Sequence, residues 1–289
     1  MPDPFDLRFL QPFTAGTLLR VGRDEDGGYV VPAAAVEKTR LLLGIGINDD
    51  WSFEEDFAAR NPAVRIVGVD GTAGLRLLYR KAASRALHGL GSLLTLQFAK
   101  AGRKFRYGSK IPRFLEFFRR HTFLRLMLRK DPGAGSITPG QLLEKYHDSG
   151  KTPDVFFKMD IEGGEYEILS APGGFLDAVL CMTVEFHDLG KRWTDLQNIA
   201  AMLDPDFLVA HVHGNNYAPL IPGTAVPSAL EITWLRRSFA PDHPLPCPGP
   251  WPLPDLDRPC KPGAPDYPLA FGDGRSGIAP VPGQVEGGA

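Results

Sequence analysis

Apolar runs five or six residues long recur along the chain, and several stop abruptly in glycine or an acid. Leu41–Ile45 runs into Gly46-Ile47-Asn48-Asp49-Asp50, and Val64–Val69 ends in Asp70. Short continuous apolar runs bounded by such signals suit strands buried on both faces. Between these two runs, Ser52-Phe53-Glu54-Glu55 predicts a helix start, with Ser52 as N-cap and Glu55 completing a capping box. Pro62 closes that helix by denying the residue before it a helical conformation. Strand, turn, helix and strand at this spacing predict a right-handed βαβ unit.

The alternation resumes further on. Thr138-Pro139 predicts a helix start, a capping residue followed by a proline suited to the first turn. Val155–Met159 is an apolar strand ending in Asp160, followed by a glycine turn and another helix. The run 178–188 ends in Glu185-Phe186-His187-Asp188, and "DFLVAHVHGNNY" and "SALEITWLRR" suit a closing pair of strands. The pattern predicts an α/β fold with a mostly parallel sheet over residues 39–240. Residues 1–38 form a lead-in packed on that core, with a short helix, a turn at Asp26-Gly27-Gly28 and an extended Tyr29-Val30-Val31. From residue 241 to 289 proline and glycine dominate, which predicts an irregular tail, disordered over "GDGRSGIAPVPGQVEGGA".

Charge changes the picture at one place. Residues 74–130 hold fifteen Lys/Arg and a single acid, Glu116, within a chain whose net charge is −2. Within it, 111–130 mixes arginine, phenylalanine and leucine at helical spacing. Such a helical insert suits either a lid over an acidic substrate or peripheral contact with an anionic membrane surface. Nucleic acid is not expected, because no recognised binding module accompanies the charge. No run reaches the roughly 18 apolar residues of a membrane span, and the N-terminus lacks the pattern of a secretory leader, so a cytoplasmic protein is expected. Cys181, Cys247 and Cys260 are scattered, which argues against a disulfide framework or a structural zinc site.

In open parallel sheets, ligands bind beyond the carboxyl ends of the strands. A glycine turn after one strand and an acid after the next form an adenosine-recognition pattern. The glycines, Gly44 and Gly46, admit close backbone approach, and the Asp70 carboxylate accepts from ribose hydroxyls. A dinucleotide fingerprint would carry a third glycine and leave room for a pyrophosphate. Here Asp49 and Asp50 stand instead, and two acids suit a cationic sulfonium, so S-adenosylmethionine is the expected cofactor.

The stretches "GRDEDGGYVVP", "LLLGIGINDDWSFEEDF" and "FFKMDIEGGEYEIL" resemble the FkbM-type S-adenosylmethionine-dependent methyltransferases. The family pattern at the fourth strand is matched by Lys158, Asp160, Glu162, Gly163, Glu165 and Leu169. The resemblance spans roughly residues 22–237. It implies a Rossmann-like class I methyltransferase fold, seven strands with the last antiparallel and helices on both faces. It also implies O-methylation of a hydroxyl on a carbohydrate or secondary metabolite. The basic segment is longer than in the shorter members of the family.

The expected cofactor contacts are Gly44, Gly46, Asp49, Trp51, Asp70 and Asp160. Deprotonation of a hydroxyl needs a base, for which His187 is the first candidate and His213 the second, with Asp160 closing the site. Glu162 and Glu165 read as first-turn acids favoured by the helix dipole. His211 reads as packing beside His213, and Asn215 and Asn216 as turn residues or substrate contacts. Asp160, Glu185 and His187 are also a candidate Mg²⁺ set, able to acidify a bound hydroxyl. Two other readings stay open: a metal-dependent glycosyl- or phosphoryl-transfer enzyme using the acids around Asp160, and a non-catalytic membrane-surface protein on the same fold.

Overall fold

A computed structural model describes residues 5–94, 106–148, 150 and 152–271. Seven strands form the main sheet: β3 (Leu41–Ile45), β4 (Arg65–Val69), β5 (Thr122–Leu124), β8 (Val155–Met159), β9 (Val179–Phe186), β10 (Phe207–Gly214) and β11 (Leu230–Arg236). Their spatial order is β10-β11-β9-β8-β3-β4-β5. β11, the last in sequence, runs antiparallel to both neighbours, while β9-β8-β3-β4-β5 are parallel. This is the Rossmann-like class I methyltransferase fold that the resemblance implied. β3 lies in the sheet interior, and the chain leaves it towards β4 on one side and returns to β8 on the other. The strand order therefore reverses at β3/β8, where such sheets open a ligand crevice.

Alternation within the runs explains the two-sided core. Leu41, Leu43, Ile45, Phe157 and Met159 point to one face, where α5 (Pro139–Tyr146), α6 (Glu165–Leu169) and α7 (Leu189–Leu203) pack. Leu42, Ile66, Phe156, Leu180 and Leu208 point to the other, against α1 (Ala33–Lys38) and against Phe53 and Phe57 of α2 (Ser52–Arg60). Each such side chain contributes about 1.5–3 kcal/mol on burial, which is why the runs of β3, β4 and β8 are dominated by apolar residues.

Several boundaries differ from expectation. The lead-in holds a hairpin, β1 (Leu18–Val21) with β2 (Tyr29–Pro32), closed through the Asp26-Gly27-Gly28 turn. α2 starts at Ser52 as predicted, but Ser52 is not its cap: the Asp50 carboxylate accepts from the Ser52 N–H at 3.1 Å. The predicted cap of α5 is present, since Thr138 and Gln141 form a complete capping box.

The basic stretch 74–130 is more than an insert. It supplies α3 (Leu75–Leu94), α4 (Lys110–Arg120) and then β5, which pairs with β4, so it is the crossover of a second βαβ unit. Residues 95–105 of it lie outside the described residues. The helix expected over 111–130 ends at Arg120, because Thr122–Leu124 are drawn into the sheet edge. β6 (Met127–Leu128) then pairs with β7 (Ser136–Ile137). The aromatic face of α4 is spent inward: Phe114 is buried against Trp51, Phe118 and Phe123. A membrane-surface helix needs that face free, and here Leu115 is the large apolar side chain α4 exposes.

Residues 241–271 contain no regular element, yet they are anchored. Phe13 bridges Pro246, and the Cys247 N–H donates to Pro12 O at 2.7 Å. Trp251, Asp257, Cys260, Leu269 and Phe271 are buried. The disorder expected from residue 272 onward lies outside the described residues. No helix among the described residues is long and apolar enough to cross a membrane.

Candidate functional site

Two clefts open at the carboxyl ends of β3, β4 and β8, and Gly46, Asn48 and Asp160 line both. The smaller, about 240 Å³, is completed by Ile45, Val69, Asp70–Thr72, Leu126–Arg129, Ile161, Glu162 and Gly164. Apolar side chains of Ile45, Val69, Leu126 and Leu128 face polar ones at its mouth, as suits a flat heterocycle beside a polar anchor. Asp70 is organised by its own loop: Oδ1 accepts from Thr72 N–H, Thr72 Oγ1 and Ala73 N–H at 2.7–2.8 Å. Oδ2 accepts from the Asn48 N–H at 2.7 Å, which fixes the carboxylate at the mouth of the glycine turn.

The two turn glycines have different physical reasons. Gly46 has φ +81°, and an added Cβ would fall on the Asp160 carbonyl oxygen. Its N–H donates to Val69 O at 3.0 Å and its oxygen accepts from Lys158 Nζ at 3.1 Å, so three strands meet there. Gly44 lines neither cleft. A Cβ at Gly44 would strike the Glu54 carboxyl, which is packed against it. Packing against Glu54 is thus by itself a reason for glycine at position 44.

Glu54 is 1% exposed, and neither carboxyl oxygen has a partner. Burial pushes its pKa from 4.5 up to about 7, only partly opposed by Lys158. The fold therefore favours the protonated form, and its stability falls as pH rises from the unfolded value near 4.5 through about 7. The interval amounts to about 3 kcal/mol. Glu54→Gln is expected to be more stable than wild type at pH 8 and to lose most of that advantage at pH 4.5. Thermal melts of both proteins across that range check this, and equal pH dependence in the two would refute it.

The larger cleft, about 550 Å³, is lined by five cations, Arg23, Arg85, Lys110, Arg113 and Lys158, and by five acids. Asp49 was expected to meet the cofactor. Instead it accepts from Lys81 Nζ at 2.8 Å and Tyr107 Oη at 2.5 Å, and Lys110 stands 3.8 Å away. Burial opposes ionisation of Asp49, but these hydrogen bonds outweigh it and hold its pKa below the usual value. Asp50 pairs with Arg23 at 2.7 Å. The two turn acids that suggested a sulfonium are thus neutralised by bases from elsewhere, and Asp49 anchors α3 and α4 over the sheet end. Trp51 lines this cleft, edge-on to Phe114, with its buried Nε1 unpartnered.

Behind the shared wall lies a polar floor. His187 Nδ1 is 2.6 Å from Glu165 Oε1, and its Nε2 faces Glu185, Glu162 and Asp160 at 3.5, 3.6 and 3.9 Å. Burial would lower its pKa, but Glu165, Glu185 and Asp160 outweigh this and push it up to about 9. An imidazole so held is cationic at neutral pH and lines neither cleft, so it is poorly placed as a base. Burial likewise raises the pKa of Asp160 and, more strongly, of Glu185, where Asp160 and Glu231 add repulsion. Glu165, read from sequence as a helix-dipole acid, is fully buried and orients His187; Glu162 precedes the helix, in a turn with φ +55°. Among the described residues, the non-glycine residues with positive φ are Asn48, Glu162 and Asp188; the first two line the smaller cleft and the third follows His187, and such backbone strain characteristically collects at functional sites.

His213 lines neither cleft. Its Nδ1 meets Glu231 and its Nε2 meets Asp266, each at 2.9 Å, so neither nitrogen is free to act as a base. His211 is bonded to Asp257 and packs on Trp251. Asn215 holds Glu185 at 2.6 Å, and Asn216 binds the backbone of the C-terminal segment at Lys261 and Pro265. Sequence reasoning gave no site role to Glu54 or Glu231, read Asp26 only as a turn residue, and met Lys158 only within the family pattern. The available signal for Glu231 was a single acid inside the apolar run "ALEITWL".

No family model matches the chain, and no curated protein matches it. Among solved structures, the chain is similar to the O-methyltransferase TomG from Streptomyces achromogenes in complex with SAM, with 16% identity, TM-score 0.35, and 70% of this chain and 75% of that one covered. It is also similar to precorrin-6y C5,15-methyltransferase from Geobacter metallireducens GS-15, with 13% identity, TM-score 0.33 and coverage of 71% and 87%. A fibrillarin/Nop5p complex matches at 10% identity and TM-score 0.35, with 69% and 73% covered. The fold assignment rests on the strand order described above.

Proposed function

We propose that this chain is an S-adenosylmethionine-dependent methyltransferase acting on a hydroxyl of a carbohydrate or secondary metabolite, as the FkbM-type resemblance implies. One observation carries the reading: two clefts at the sheet's switch point share a wall of Gly46, Asn48 and Asp160. The cofactor fits the smaller cleft, with Asp70 at the ribose and Leu126–Leu128 beside the base. When bound, it supplies an activated methyl group. The acceptor then occupies the larger cleft, whose cations and acids suit a polyhydroxylated, polar ligand. Asp160 stands on both walls and takes the hydroxyl proton, while His187 and Glu165 hold the neighbouring carboxylates in place.

A second reading of the same floor is favoured by its donor set. Asp160, Glu185 and His187 each offer one ligand atom, all within 4.8 Å of one another. Two carboxylates and an imidazole fit Mg²⁺ or Mn²⁺, and a divalent cation there would acidify a bound hydroxyl. Mn²⁺ titration followed by electron paramagnetic resonance is expected to report one site, weakened at least tenfold in Glu185→Gln. Absence of Mn²⁺ binding, or identical binding in the two proteins, would take the metal off this floor and leave Asp160 as the proton acceptor.

The test of the function itself is calorimetric titration of the purified protein with S-adenosylmethionine and S-adenosylhomocysteine. Micromolar binding of both supports the reading. A folded protein that binds neither, yet binds a nucleotide sugar, would overturn it in favour of glycosyl transfer. Liposome binding without cofactor binding would favour the non-catalytic membrane reading.

A further inference from the structure

A second cluster of metal-ligating side chains lies behind the site, where the C-terminal segment crosses β10 and β11. His213 of β10 and Glu231 of β11 are register partners, and Cys260 comes to them from the irregular segment. All three are at most 4% exposed. His213 Nδ1 lies 2.9 Å from Glu231 Oε2, and Cys260 Sγ lies 3.5 Å from Glu231 Oε1 and 3.9 Å from His213 Nδ1. A tetrahedron built on Zn–N, Zn–O and Zn–S bonds of roughly 2.0, 2.0 and 2.3 Å has edges of about 3.3–3.5 Å between ligand atoms. The three separations, which involve both Glu231 oxygens, lie close to those edges.

The other nitrogen of His213 makes the case stronger. Nε2 is 2.9 Å from Asp266 Oδ2, the carboxylate–imidazole contact that fixes tautomer and orientation in metal-bound histidines. Asp26 stands at the exposed edge of the cluster. Its carboxylate lies within 4.8 Å of those of Glu231 and Glu185, and its N–H donates to the Cys260 carbonyl at 3.2 Å. We propose that His213, Cys260 and the two carboxyl oxygens of Glu231 form a buried structural site for Zn²⁺ that staples residues 260–266 to the sheet. A thiolate with imidazole and carboxylate selects a borderline metal over Mg²⁺, which separates this site chemically from the all-oxygen-and-imidazole floor at Asp160. Binding releases the thiol proton and the Nδ1 proton to solvent, and the Nε2 proton stays directed at Asp266. The competing account is an imidazolium clasped by Glu231 and Asp266 beside an inert thiol, which holds no metal.

The full-length chain, expressed once in zinc-supplemented and once in cobalt-supplemented medium, decides between them. One equivalent of zinc by elemental analysis is expected, together with a thiolate-to-cobalt charge-transfer band in the cobalt form. The band should vanish in Cys260→Ser, survive in Cys181→Ser and Cys247→Ser, and need roughly 10–100-fold more cobalt in Asp266→Asn. If Cys260→Ser does not fold, the wild-type band and its survival in the other two cysteine variants assign the sulfur by elimination. Absence of both zinc and the band from folded wild-type protein, or a band that persists in Cys260→Ser, overturns the proposal. The readout needs no methyl donor, so its failure leaves the cofactor reading untouched.

Discussion

Gly46→Ala is expected to lower the melting temperature by roughly 10 °C and to abolish binding of S-adenosylhomocysteine. Gly46 has φ +81°, where a side chain adds about 1–2 kcal/mol of strain. The added Cβ would also occupy the place of the Asp160 carbonyl oxygen, which is backbone and has no rotamer to yield. Relief requires moving the start of the loop after β8, and with it the Asp160 side chain and the Lys158 contact to the Gly46 oxygen. The combined cost exceeds about 4 kcal/mol, the range of mutations that strain a special backbone position. At about 2–4 °C per kcal/mol for a domain of this size, the melting shift follows. Gly163→Ala is the control: Gly163 also has positive φ, but an added Cβ meets nothing within 4 Å, so the strain term acts alone. Equal melting of the two variants would mean that the Asp160 contact contributes nothing.

Asp70→Ala is expected to weaken S-adenosylhomocysteine binding by roughly 10- to 150-fold, the worth of one hydrogen bond to a charged group at about 1.5–3 kcal/mol. Loss of the carboxylate also frees the Thr72, Ala73 and Asn48 donors it now holds, so the loop loosens. Thr72→Val separates the two effects. It removes the Thr72 hydroxyl bond to Oδ1 and leaves the carboxylate itself in place. Calorimetry should find it within a few-fold of wild type. Unchanged affinity in Asp70→Ala would place the ribose elsewhere, whereas equal losses in both variants would reduce Asp70 to a loop anchor.

The sequence by itself determined the central strands and their ends, though not the edge strand Thr122–Leu124, which it read as helix. A strand buried on both faces reads as a continuous apolar run, so Leu41–Ile45 and Val155–Met159 were visible with Gly46, Asp70 and Asp160 just beyond them. Local signals worked equally well where the partner is a few residues away, as with Thr138 and Gln141. The resemblance to a known family supplied the antiparallel last strand, which no local pattern encodes.

Tertiary structure decided what those end residues meet. Gly44 reads in sequence like a cofactor glycine, but packing against the Glu54 side chain is by itself a reason for it. Asp49 reads as a cofactor acid until Lys81, Tyr107 and Lys110 arrive from the crossover segment. His187 has the look of a free base until Glu165 and Glu185 close on it. Cys260, unremarkable in its proline-rich surroundings, lies 47 residues from His213 in sequence and in the same buried cluster in space. Apolar burial is periodic along the chain, because each strand or helix sets its own spacing. A charged or ligating side chain takes its role from partners dozens of residues away, and only folding brings them within reach.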